Sequence, residues 1–342
     1  MIEARHALVA RQNAGGYAFI GAIGIRRELE RRGVPVEAHS LRQIERIIRR
    51  SGLAQPRRRR SRSGPKRIYP GPHTAARRRR DLHEVDFVGP LYPRGGTRLE
   101  ALSRMDIASG EARSWVRTRQ TSDVACECLW DDWRADGVPR YVQMDNHACF
   151  TGGPNDRRRT GSVIRLCLYV GVQPVFIPAH APFYNAHVES YQGLWQERLW
   201  KRQEFTTGEQ LQEKLDGLAA ELAGYRAYKR QLQSTSPVAP RSVRTLRAGL
   251  ERPQNIPLCW GRIHVIRQVP EDGAIHILRK TIRVPGTLAH DYVWAIIDTR
   301  RETVTVTHRA GPTHPAITIV NRPYAFKERA RRRPPLPRGC TM

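Results

Sequence analysis

Residues 83–91 read HEVDFVGPL, and the deciding feature is an acid set inside an apolar strand, Val85-Asp86-Phe87-Val88. A buried, unpaired carboxylate is costly, so Asp86 must be protonated, ion-paired or bound to a cation. Further strand patterns follow at 98–107, 112–118, 140–144 and 173–177, with helical stretches at 121–135 and 160–170 between them. Helices are expected at 185–201 and 207–229. The second opens on Thr207-Gly208-Glu209-Gln210, a capping-box pattern. Alternation of this kind over residues 81–233 predicts an α/β domain built on a mixed sheet.

Two more acids stand where strands or helices can present them. Asp145 ends the apolar strand YVQM and is followed by Asn146. Glu189 lies on a helix whose core stripe is Val188, Tyr191, Trp195 and Leu199, with Glu189, Gln192 and Gln196 on the adjacent stripe. Three carboxylates from two strands and a helix can share two Mg²⁺ or Mn²⁺ ions, about 3.5–4 Å apart, which hold an attacking and a leaving oxygen at a phosphodiester. Hard cations that bind substrate phosphate take oxygen donors of this kind. Water or a DNA 3′-hydroxyl then attacks, and no nucleophilic side chain is needed. Glu84 shares a strand face with Asp86 and is a candidate fourth acid; His187, close to Glu189, is a candidate metal or DNA contact set against a plain surface role.

The 342 residues carry 59 Lys and Arg against 32 Asp and Glu, a net charge of +27. Such an excess repels itself unless a polyanion is near, and nucleic acid is the usual one. An anionic membrane is disfavoured because no basic amphipathic helix offers an apolar face, and no apolar run is long enough to span a bilayer. Cys126, Cys128, Cys149, Cys167, Cys259 and Cys340 lack CxxC spacing. They suggest reduced thiols in a cytosol rather than a disulfide framework, with Cys126 and Cys128 as packing residues, and the spacing disfavours a zinc site.

Upstream, residues 1–55 read as an all-α domain. A helix is expected from Tyr17 to Arg32, closed by Gly33. A short turn leads to Ser40 as N-cap of a second helix ending at Arg50, with Leu41, Ile44, Ile47 and Ile48 inward. Its other face carries Arg42, Gln43, Arg46, Arg49 and Arg50, as the recognition helix of a helix-turn-helix would; a small bundle with a solvated basic face is the alternative. Residues 56–80 read as a disordered basic linker, Arg57, Arg58, Arg59 and Arg60 included, that tracks phosphates. From Arg46 to Arg80 there are 14 Lys or Arg and no acid. Downstream, 234–254 reads as a second linker. Residues 255–310 hold four or five short strands that predict a small all-β barrel, and 311–342 read as a mobile Pro/Arg-rich tail.

HEVDFVGPL, LEALSRMDIASGEARSWV, YVQMDNHACFTG and PVFIPAHAPFYNAHVES, in this order, resemble the catalytic core of retroviral-type integrases and bacterial insertion-sequence transposases. The resemblance implies an RNase H-like fold over 83–201 and an Asp, Asp, Glu triad at Asp86, Asp145 and Glu189. It makes Asp106 a strand residue and not a ligand. It further implies a DNA transposase that binds terminal inverted repeats, cuts 3′ ends and joins them to target DNA. Such an enzyme would act as a homo-oligomer on double-stranded DNA, in a bacterial cytoplasm at the nucleoid, away from any membrane. Position 196 is Gln where the family often has Lys or Arg, so the phosphate contact would pass to Arg198 or Lys201 or be lost. The spacer from Asp145 to Glu189 is long, with an Arg-rich insertion at 153–161, and one helix-turn-helix is visible where relatives often carry two. A catalytically inactive DNA-binding remnant or repressor, and an RNase H-type nuclease, are the alternatives.

Overall fold

A computed structural model describes residues 1–35, 39–54, 71–72, 76, 78–153, 160–179, 181–233, 245–246, 251–311 and 314–334. Three helices come first, α1 (Ile2–Asn13), α2 (Ala22–Arg31) and α3 (Leu41–Arg50). They share a core of Leu8, Ile25, Leu29, Ile44 and Ile48. Ser40 caps α3 by accepting from the N–H of Gln43, the bond its sequence position demands. The helix expected to start at Tyr17 starts instead at Ala22, where Gly21 is extended (φ -81°, ψ 177°) as its N-cap, and Phe19 ahead of it is stacked on Tyr225 with ring centroids 4.0 Å apart.

Strands β1 (Leu82–Leu91), β2 (Leu99–Asp106) and β3 (Ala112–Arg117) then form an antiparallel meander. Helix α4 (Ser122–Asp136) leads to β4 (Tyr141–Met144), and the short α5 (Ala148–Thr151) and α6 (Ser162–Val170) lead to β5 (Gln173–Phe176). Thr121 caps α4, and Gly171, in the left-handed region at φ 82°, ends α6. β4 joins β1, and β5 joins β4, in parallel. A 3₁₀ turn at Pro182–Asn185 feeds α7 (Ala186–Trp195), a π turn at Gln196–Trp200 follows, and α8 (Gly208–Leu232) begins after Thr207. Thr207 accepts from the N–H of Gln210, but the reciprocal bond from Gln210 goes back to Thr206.

The last six strands are β6 (Arg262–Gln268), β7 (Ala274–Ile277), β8 (Lys280–Arg283), β9 (Tyr292–Asp298), β10 (Thr303–His308) and β11 (Ile317–Pro323). The strands expected here are present, but the separate barrel is not. β6 pairs with the free side of β5, and β9, β10 and β11 follow, giving the order β11-β10-β9-β6-β5-β4-β1-β2-β3, with β7-β8 as a separate hairpin. An open β5 edge would leave a row of unpaired N–H and C=O groups, and β6 takes them up. His264 of β6 fixes the junction through Gln173, 2.8 Å away. The expected mobile tail likewise contributes β11, and Arg331 bridges to Cys259; residues 335–342 lie outside the described residues.

The chain divides into two compact units: residues 1–66, 93–95 and 193–237, and residues 67–92, 96–192 and 238–342. In the first, α8 packs on the N-terminal helices through Arg27–Glu221 at 2.6 Å and Tyr228–Glu30 at 2.5 Å. In the second, the apolar core runs beneath the sheet through Trp133, Leu129, Phe150, Ile164 and Val142. Beside it lies a buried ionic cluster. Arg104 grips Asp132 through Nε and Nη2, the shortest contact 2.6 Å, and His83 lies 3.3 Å from Asp106. The end of the expected linker joins this cluster: the N–H of Arg80 donates to Asp106 at 2.6 Å, and Arg79 and Arg80 both pair with Asp136. These arginines are thereby paired with carboxylates. Among the described residues no helix is long and apolar enough to cross a membrane.

Candidate active site

The parallel pair β1 and β4 runs in register to Glu84↔Gln143. Asp86 and Asp145 each lie two residues further on, so the pleat brings both to the same end of the two strands. Asp86 stays within β1, opposite Ser103 of β2. Asp145 lies just past β4, where its Oδ1 accepts from the N–H of His147 at 2.9 Å.

Glu189 sits in the first turn of α7, and the start of that helix is held from the sheet. Oε2 of Glu84 accepts from the N–H groups of His187 and Val188, each at 2.9 Å, while Oε1 faces His187 Nδ1 at 3.1 Å. Nε2 of Gln143 donates to the Tyr184 carbonyl at 2.7 Å. The register partners Glu84 and Gln143 thus clamp the turn that presents Glu189. One helical turn beyond Glu189, the buried Gln192 donates through Nε2 to the Asp86 carbonyl at 3.2 Å.

The carboxylates feel one another. Burial, then the charges of Asp145 and Glu189, push Asp86 up to about 7, against opposing hydrogen bonds from the Phe87 backbone and Gln192. Glu189 is raised as well, by burial and then by Glu84. Among the described residues no group of three or more His, Cys, Asp or Glu side chains is placed to hold a metal ion. All-oxygen donors that repel one another fit a hard divalent cation in chemistry, although the three side chains are not drawn together into a ready ligand set.

Glu84 therefore works as a helix cap, with His187 as its partner. Asp106 is a buried structural acid: it accepts from the N–H and Oγ of Ser109 at 2.7 and 2.9 Å, and burial, the largest single effect, is outweighed by His83 together with the N–H groups of Ser109 and Arg80, holding it well below the usual carboxylate range. Burial pushes the thiols of Cys126 and Cys128 up to about 12, as expected of packing residues.

On α3, Arg42, Arg46, Arg49 and Arg50 are exposed and Gln43 is partly so. Arg57, Arg58, Arg59 and Arg60 lie outside the described residues. Arg198 is turned inward: Nη1 donates to the Ala18 carbonyl at 2.8 Å and its guanidinium lies 4.6 Å from the Phe19 ring centre. Those contacts give it a packing role in place of the expected phosphate contact. Lys201 is exposed and paired with Glu197.

Sequence reasoning missed Gln143, Gln192 and Arg267. Only Gln192 carried a signal, its place on the same helical stripe as Glu189.

No protein-family model matches the chain, and no curated protein matches it. Among solved structures it is similar to the catalytic core domain of BIV integrase, with 15% identity and a TM-score of 0.31 over 45% of this chain and 97% of that one. It is similar to a chain of the simian T-cell lymphotropic virus intasome in complex with PP2A regulatory subunit B56 gamma, with 13% identity and a TM-score of 0.35 over 91% and 99%. It is also similar to the HTLV-2 integrase catalytic core domain in complex with magnesium, with 14% identity and a TM-score of 0.30 over 47% and 93%. Strands β5-β4-β1-β2-β3 with their flanking helices form a mixed α/β core.

Proposed function

We propose that the chain is a metal-dependent DNA transposase or integrase that binds the terminal repeats of an element and joins its 3′ ends to target DNA. One observation carries this reading: Asp86 and Asp145 stand at the same end of the parallel pair β1 and β4, and Glu84 and Gln143 of those strands hold the start of the helix that carries Glu189. Mg²⁺ or Mn²⁺, held by those three residues, would supply Lewis-acid activation and charge neutralisation at the phosphodiester. The chain's own part is placement. Asp86 is fixed by the sheet and by Gln192, Glu189 by the Glu84 cap, and Asp145 by the turn that follows it. Exposed arginines of α3 and a net charge of +27 suit DNA binding through phosphates and base edges. Assembly as a homo-oligomer bridging two DNA ends belongs to the same proposal.

The test is joining of labelled duplexes, cut from the DNA flanking the gene, to a plasmid in Mg²⁺. Wild type should give joined product and Asp86→Asn none; equal product from both sinks the reading. A second reading, a DNA-binding protein without catalysis, is favoured by the lack of a ready metal ligand set among the described residues. It predicts DNA binding that survives loss of all three acids, with no cleavage in any metal.

A further inference from the structure

The C-terminal strands bring one side chain to the candidate centre. Arg267 of β6 is half-buried, and burial lowers its guanidinium to about 10, yet its donors are matched to acceptors. Nε donates to the His276 carbonyl at 2.7 Å, and Nη1 to the carbonyls of Ile266 and Ile177 at 2.8 and 3.1 Å. Nη2 donates to Oδ1 of Asn146 at 2.7 Å. Asn146 directly follows Asp145, and its Nδ2 donates in turn to the Ile177 carbonyl at 2.5 Å. With a guanidinium on one end and a carbonyl on the other, the amide has one satisfied orientation. A single half-buried cation thus ties the Asp145 turn to the end of β5 and to β7.

We infer that Arg267 is a positioning residue for Asp145: it locks Asn146, and through it the backbone that presents the second carboxylate, making β6 a working part of the centre. The inference rests on the functional reading above, in which Asp145 acts at the reacting phosphate. It also accounts for why the C-terminal strands continue the core sheet. A separate barrel would leave Asn146 without its guanidinium.

Arg267→Met removes every donor while keeping much of the stem, and Asn146→Ala removes the acceptor. Each should lower strand-transfer turnover by about 10–100-fold, the scale of a misplaced reacting group, with KM for DNA nearly unchanged. The double variant should be no slower than the slower single one, because both break one linkage. Arg267→Lys should recover part of the rate. Amide exchange at His147, which reports the Asp145 turn, should quicken in Arg267→Met even without DNA or metal.

Wild-type turnover and unchanged His147 exchange in a folded Arg267→Met protein would overturn the inference, as would a fall in melting temperature with no change in kcat. So would rate losses in the two single variants that multiply in the double. An active wild type with an inactive Asp145→Asn and a fully active Arg267→Met removes this inference alone. An inactive wild type, or an Asp145→Asn protein as active as wild type, removes the functional reading and this inference with it.

Discussion

The carboxylate of Glu84, near the start of β1, accepts the backbone N–H of Val188, the residue before Glu189, at 2.9 Å. An acid two residues from Asp86 thereby serves the helix, supplying the charge that a helix N-terminus favours.

Glu84→Gln keeps an oxygen for the two N–H groups and should leave turnover within a few-fold of wild type. Glu84→Ala leaves buried donors unmet, which costs about 1–3 kcal/mol, and frees the first turn of α7. Denaturant unfolding and strand-transfer rates, read together, check both; equal behaviour of the two variants would contradict the cap.

Asp86 is raised from 3.8 to about 7 by burial and by Asp145 and Glu189. A raised acid favours folding below its unfolded value, and that contribution is lost as pH rises through about 7. In chelator, Asp86→Asn should therefore be more stable than wild type at pH 8, by about 1–3 kcal/mol after allowance for partial exposure. The difference should shrink towards pH 4. Melting curves at the two pH values decide it.

Glu28 shows the opposite sign. Hydrogen bonds from Arg31, against the effect of burial, and then from Arg32 lower it from 4.5 to about 2. Its contribution is present above 4.5 and lost as pH falls through about 2. Because the arginines are partly exposed, Glu28→Gln should cost only about 1–2 kcal/mol at pH 7. Amide exchange in α2 should show this, with no difference between variant and wild type near pH 2.

In the buried pair Arg104–Asp132, loss of one partner strands a charge. Asp132→Ala should cost about 3–5 kcal/mol, and the double change Arg104→Met with Asp132→Leu distinctly less. Equal losses would mean that the pair's charges do not govern the site.

Much of the central sheet was legible because its strands alternate or are wholly apolar, and because Ser40, Thr121 and Thr207 mark helix starts by local chemistry. α1 was not, since Arg5 on its buried face, donating to the Ile20 carbonyl at 2.6 Å, disguises the stripe. The destination of β6 was not either: a period-two pattern reads the same in a barrel and in an extended sheet, and only the open edge of β5 decides between them. Asp86 and Asp145 stood out by their apolar strand settings together with the motif resemblance, and Glu189 by the resemblance alone. Gln143 and Arg267 could not, because their partners lie 41 and 121 residues away in sequence.

The central claim is that Asp86, Asp145 and Glu189 act as one centre. The direct measurement is strand transfer of gene-flanking DNA in Mg²⁺ by wild type, Asp86→Asn, Asp145→Asn and Glu189→Gln, with DNA affinity measured alongside. The account predicts joined product from wild type alone and near-equal DNA binding by all four. Joining by any of the three variants at the wild-type rate would contradict it.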